Sequence, residues 1–160
     1  MALHKLFVDE YYDDSYTLFA LHCALEDYRV AYFLNSYLNL NLKRKEHDLD
    51  FEYTLASYSI YEWEDESKRI SWNLVSNICK KEEDSLTSSG SLFENQEKLI
   101  RTFNLLPEFN SVNYLLKITT DGNPVNNRMI LNTLNTIPHI ATAYEVNVEE
   151  IKSRDNLIFD

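Results

Sequence analysis

Leu105-Leu106-Pro107-Glu108-Phe109-Asn110-Ser111-Val112-Asn113-Tyr114-Leu115-Leu116-Lys117-Ile118 opens the most regular half of the chain. From Val112 onward the side chains alternate. Val112, Tyr114, Leu116 and Ile118 share one face, and Asn113, Leu115, Lys117 and Thr119 share the other. A period of two marks a half-buried strand, and the β-branched and aromatic members suit a pleated surface. Pro107 fixes its own φ and biases Leu106 toward an extended conformation, so the chain runs straight into the strand. Asp121-Gly122-Asn123-Pro124 stops it with turn chemistry. Tyr114 is expected in the core beneath a helix, with Asn113 facing away from it.

Working outward from this strand, Tyr16 to Cys23 reads as another, apolar on both faces and therefore central. Asp27 is placed to cap a helix with the stripe Val30, Phe33, Leu34, Tyr37 and Leu38, and Lys43-Arg44-Lys45 falls just past its end. Leu49 to Trp63 and Arg69 to Ile78 read as the strands of a hairpin. Leu6-Phe7-Val8 reads as a short strand and Asp9 to Asp14 as a turn. Residues 80–102 are mostly polar, with Leu92-Phe93 as one apolar island, and read as a mobile loop inside a single domain spanning 1–160. Downstream, Asn123 caps a second helix with Pro124 at its first position and Ile130, Leu131, Leu134 and Ile137 as its stripe. Ile140, Tyr144 and Val146 alternate into a last strand. Val148 to Lys152 reads as a helical turn, and Leu157-Ile158-Phe159 as a docked terminus. The fold class expected is α+β. It is a two-layer sandwich, a ferredoxin-like variant, with a largely antiparallel sheet of about five or six strands and two amphipathic helices on one face. The two β-α-β units are the source of any parallel pairs.

Composition excludes several functions. With 15 Lys plus Arg against 26 Asp plus Glu, the formal charge is −11. Such a chain repels phosphate backbones and anionic bilayers, so no direct nucleic acid and no membrane are expected as partners. A basic protein partner fits. Cys23 and Cys79 have no CxxC spacing and read as reduced thiols. The first residues form no apolar leader, and no apolar run is long enough to span a bilayer, which implies a cytoplasmic protein. Gly90 and Gly122 are the only two glycines. A Gly-rich phosphate cradle is thereby excluded, and P-loop and Rossmann enzymes with it. No cofactor is expected.

The candidates for chemistry are few. None of His4, His22, His47 and His139 forms an i, i+4 ligand pair. His22 and Cys23 are neighbours on a strand and point to opposite faces. His47-Asp48-Leu49-Asp50 reads as a solvated loop. Asp9, Glu10, Asp13 and Asp14 suit a hard cation but lack the order and the glycine of an EF-hand. No catalytic or metal residue is assigned. The function expected is a non-enzymatic binding or adaptor module contacting another protein. The alternative is a small metal-dependent enzyme using the acidic N-terminal residues. The sequence fixes neither the partner nor an oligomeric state.

Leu106-Pro107-Glu108, three residues, then Val112-Asn113-Tyr114 resembles the signature of the IPExxxVDY family, small bacterial proteins grouped by that motif and without an assigned activity. Glu26-Asp27-Tyr28-Arg29-Val30, Asn77, Thr142-Ala143-Tyr144-Glu145-Val146 and Lys152 to Phe159 resemble further family segments. Leu106 stands in place of Ile, and Asn113 in place of Asp. A general base or metal ligand at that Asp would lose its charge and titrating proton as Asn, whereas a hydrogen-bond acceptor would survive. The motif is therefore expected to be structural.

Overall fold

The computed structural model describes residues 16–84 and 98–159. In chain order these form β1 (Tyr16–Cys23), α1 (Asp27–Leu38), β2 (Lys43–Arg44), β3 (Leu49–Asp50), β4 (Ser57–Tyr58), β5 (Ile60–Asp65), β6 (Ile70–Ser76), β7 (Ile78–Asp84), β8 (Lys98–Asn104), β9 (Tyr114–Thr120), α2 (Asn127–Leu134) and β10 (Ile140–Val146). The main sheet has six strands in the order β10-β1-β9-β6-β5-β2. Two smaller sheets pair β3 with β4 and β7 with β8. The fold is α+β. All neighbouring strands among the described residues are antiparallel, so the β-α-β crossovers yield no parallel pair. β1 and β6 do run the same way, but β9 lies between them.

β9 sits in the middle because both of its faces are apolar. Tyr114, Leu116 and Ile118 join Phe19, Leu21, Trp72 and Leu74 in one cluster, closed by Val30, Ala31 and Leu34 of α1 and by Ile130 and Leu134 of α2. Leu115 joins Leu18, Ala20, Val75 and Ile60 on the opposite face, where Leu105, Leu106, Val112, Ile151 and Leu157 complete a second cluster. Each fully buried leucine contributes about 1.5–3 kcal/mol, so β9 anchors both layers. Val112 departs from the expected face. The strand starts at Tyr114, and the turn before it carries Val112 to the helix-free side.

Other boundaries differ for local reasons. α1 starts one residue early, from an extended Glu26, while Asp27 lies in the first turn and accepts from Tyr28 N at 2.8 Å. The helix ends at Asn39 in the left-handed region, φ 54°. Lys43 and Arg44 then pair with β5 as an edge strand and do not serve the helix terminus. Leu49 to Trp63 is broken at residues 51–56 and at Ser59 into β3, β4 and β5, and Arg69 to Ile78 is broken at Asn77 into β6 and β7. α2 is capped by Asn126, whose side chain accepts from Met129 N at 3.1 Å, so Asn123 and Pro124 fall in the connection before it.

The loop expected over 80–102 is strand at both ends, because residues 80–84 and 98–102 pair in the β7–β8 ladder. This arm contains few apolar residues, and period-two reading relies on them. Cross-strand ion pairs stand in their place: Lys98 with Glu82 at 3.1 Å and Arg101 with Glu83 at 3.3 Å. Leu92, Phe93, the strand expected at Leu6-Phe7-Val8 and the turn at Asp9 to Asp14 lie outside the described residues. β1, β10, the short 3₁₀ turn Val148–Glu150 and the docked Leu157 fall where the sequence placed them.

Candidate functional site

The segment between β8 and β9 makes a compact turn. Pro107–Phe109 form one turn of 3₁₀ helix, with Phe109 N donating to Leu106 O and Val112 N to Phe109 O, each at 3.0 Å. Leu106 is extended, as a residue before proline should be. Leu106 and Val112 are wholly buried, so the peptide groups beside them need partners inside the protein. Asn77 supplies them. Its side chain accepts from Leu106 N at 2.8 Å and donates to Phe109 O at 2.8 Å and Val112 O at 2.9 Å. Its backbone donates to Asn113 O at 3.0 Å and accepts from Leu105 N at 2.9 Å. One acceptor and two donor hydrogens in a plane are what this turn needs, and an amide provides them.

Asn113 fixes the other end of the motif to β1. Its Oδ1 accepts from Cys23 N at 2.9 Å, where β1 shifts register between His22 and Cys23, and its own N donates to Leu21 O at 3.1 Å. The Tyr114 hydroxyl donates to Leu25 O at 2.5 Å. Burial, and then the carboxylate of Asp27, push that phenol well above its ordinary range. Tyr114 lies under the helices, as expected, and Asn113 is half-buried away from them. Glu108 is exposed and faces the C-terminal segment. Its two oxygens accept from Ser153 N at 2.8 Å and from the Ser153 hydroxyl at 2.6 Å. Partial burial alone would raise the Glu108 pKa, but these hydrogen bonds and backbone N–H groups leave it below the ordinary carboxylate value. Asn156 adds a bond from Nδ2 to Leu105 O at 2.9 Å and accepts from the Tyr53 hydroxyl at 3.0 Å.

Leu106, Pro107, Glu108, Val112, Asn113 and Tyr114 thus gather β1, the β6–β7 junction and the C-terminal segment at one end of the sheet. The polar side chains of this set are engaged in internal hydrogen bonds. Geometrically the cluster is a fastener. Asn77 and, through Ser153 and Asn156, the segment Lys152 to Phe159 meet the motif here; the Tyr114 hydroxyl reaches Leu25, just before Glu26, and Thr142 to Val146 lies on β10 against β1.

The remaining candidates are dispersed. His22 stacks at 5.7 Å on Tyr144, while Cys23 is buried among the residues beneath the helices. Asp48 is held by Arg44 at 2.9 Å. Among the described residues, no group of three or more His, Cys, Asp or Glu side chains is positioned to hold a metal ion. Asp9, Glu10, Asp13 and Asp14 lie outside those residues.

Lys117 was not singled out by the sequence. Its Nζ donates to Leu157 O at 2.7 Å and sits 4.7 Å from the Tyr16 ring and 5.0 Å from the Phe159 ring. Burial lowers its pKa. The only hint in the sequence was a lysine inside an otherwise apolar strand. Exposed apolar groups gather elsewhere, with Leu99 and Ile100 on the β7–β8 arm and Tyr53 and Leu55 in the β3–β4 connection.

No helix among the described residues is long and apolar enough to cross a membrane. No family model matches the chain, and no curated protein or solved structure is significantly similar to it.

Proposed function

We propose that this chain is a non-enzymatic binding or adaptor module that works in the cytoplasm by docking on a basic protein. The observation that carries this reading is the state of the motif: Asn113, Tyr114 and Glu108 direct their polar atoms at groups within the chain. What the surface offers is exposed apolar side chains on an acidic protein, and these favour a protein partner over nucleic acid or an anionic bilayer.

The same reading keeps the resemblance to the IPExxxVDY family. Its support is that two of the resembling segments, Asn77 and Lys152 to Phe159, far apart in sequence, are hydrogen-bonded to the motif at one junction. A ferredoxin-like two-layer core is part of the proposal. β10-β1-β9-β6, with α1 following β1 and α2 following β9, reproduces a β-α-β-β-α-β chain order in an antiparallel sheet. Both helices pack into the same cluster, on one face.

Calorimetric titration with Mg²⁺, Mn²⁺ and Zn²⁺ tests the reading against the metal-dependent enzyme. The expected outcome is no heat of binding, together with recovery of a specific basic protein on the immobilised chain. Stoichiometric binding of any of the three ions would promote the enzyme.

A further inference from the structure

β8 is an open edge. Its backbone pairs with β7, and none of the backbone hydrogen bonds outside that ladder involves residues 98–104. The opposite side of the arm is turned toward β4, where Lys81 Nζ donates to Ser57 Oγ at 3.3 Å. Leu99 and Ile100 are 60% and 61% exposed, and neighbours on a strand point to opposite faces, so the edge is apolar on both sides. A two-stranded ribbon is marginal by itself, and an unpaired edge is a template for another strand.

The outer edge of the main sheet provides a contrast. On β10, the Asn135 side chain accepts from Ala143 N at 2.9 Å and donates to Ala143 O at 3.1 Å. The middle of that edge is plugged by an amide. β8 has no such plug among the described residues.

Beside β8 lies a cleft of about 340 Å³ lined by Glu52, Tyr53, Thr54, Leu55, Arg101 and Phe103. Arg101 is already committed, paired with Glu83 and 5.0 Å over the Phe103 ring. Glu52 has no ion-pair partner among the described residues. Tyr53 stands next to it, 75% exposed. A carboxylate beside an open aromatic ring suits a cationic side chain.

We infer that an extended segment of a basic partner protein adds to the outer edge of β8 as a further strand, seating a Lys or Arg side chain against Glu52 and Tyr53. This rests on the binding-module reading and assigns it a surface. A second copy fits less well, because each chain carries a formal −11.

The test uses the full chain as bait. Wild type, Leu99→Lys with Ile100→Lys, Glu52→Gln and a helix-face control, Tyr32→Ser, are compared for recovery of the same protein by mass spectrometry. Melting curves check folding, and sedimentation velocity is run on each free chain. Expected is equal recovery on wild type and Tyr32→Ser, a fall of about tenfold or more on the double variant, and a smaller, salt-sensitive fall on Glu52→Gln. The partner's amides should gain protection from exchange together with those of residues 98–104. Full recovery on the double variant overturns the β8 site while leaving the binding-module reading intact. Absence of any specific capture by wild type sinks that reading, and this one with it. A wild-type dimer that the double variant dissociates assigns the edge to a second copy, and also overturns the proposal.

Discussion

Asn77 holds the turn before β9 from both sides, and that makes it the residue with most to lose on truncation. Asn77→Ala leaves the buried Leu106 N–H and the Val112 carbonyl without a partner and takes one of two donors from Phe109 O. The expected cost is about 3–4 kcal/mol in urea unfolding, from unsatisfied groups and not from lost contact area. Tyr114→Ala should cost about 3–5 kcal/mol as a core aromatic truncation, and Tyr114→Phe about 1 kcal/mol for the bond to Leu25 O. Asn113→Asp is a different case. Only its Oδ1 is used in a side-chain hydrogen bond, as an acceptor from Cys23 N, and a carboxylate accepts equally well. The substitution should stay within about ±0.5 kcal/mol at neutral pH, and a gain of metal binding in calorimetry would overturn the structural reading of the motif. Glu108 adds a pH dependence. Its folded pKa is depressed, so its contribution is present above the unfolded value of about 4.3 and is lost as pH falls through the folded one. The protection of the Ser153 amide, measured relative to its intrinsic exchange rate at each pH, should therefore fall selectively on acidification below pH ~4, before global unfolding. The sequence made Tyr114 legible through alternation. Asn77 was visible only as a resemblance, because nothing in a pattern of apolar residues reveals where a buried amide points.

The elements were legible in proportion to their apolar periodicity. β1, β9 and β10 carry strong alternation or continuous apolar runs, and their spans fell close to the expected ones. β7 and β8 are held by backbone pairing and cross-strand charges, so hydropathy read them as loop. Deleting residues 81–91 would remove most of β7 and leave β8 without most of its ladder, whereas shortening a plain surface loop costs little. The edge of β10 shows a device that sequence could not display. The Asn135 amide, at the end of α2, occupies both backbone groups of Ala143 and blocks sheet extension. Asn35 makes the matching pair of bonds to Leu42 after α1, at 3.2 and 2.8 Å. Each helix is thus tied to the chain that leaves it by the same amide geometry. Asn135→Ala should cost about 1–2 kcal/mol and free the edge. Concentration-dependent self-association in sedimentation velocity, absent from wild type, is the expected readout; a monomeric variant at all concentrations would show that the plug has no protective role.

At the scale of the whole molecule, the sheet separates two clusters, one under the helices and one under the turns and the C-terminal segment. The first was legible because helices announce their buried stripe. The second was legible only at the docked Leu157, since Leu105, Leu106 and Ile151 sit outside regular periodicity and the turn before β9 carries Val112 to the face opposite its alternation. Charge acts on the same scale and sets stability through its excess sign. The ion pairs that bind the acidic residues are largely exposed, for instance Arg69 with Asp121 at 3.5 Å and Lys98 with Glu82 at 3.1 Å. Such pairs are worth at most about 1 kcal/mol each, and salt weakens them. Salt also weakens the mutual repulsion behind a formal charge of −11. The two effects oppose each other, and the repulsion is the larger because acids outnumber bases, 26 to 15. Raising NaCl from about 10 mM to about 150 mM shortens the screening length from about 30 Å to about 8 Å, which reaches pairs on opposite sides of the sheet before it dissolves the close ones. The melting temperature should rise by about 2–4 °C over that range, the shift that about 1 kcal/mol produces in a chain of this size. KCl should act as NaCl does, which separates screening from ion-specific effects on apolar hydration. A melting temperature that falls with either salt would mean that the local ion pairs, the arm of β7 and β8 among them, outweigh the global repulsion.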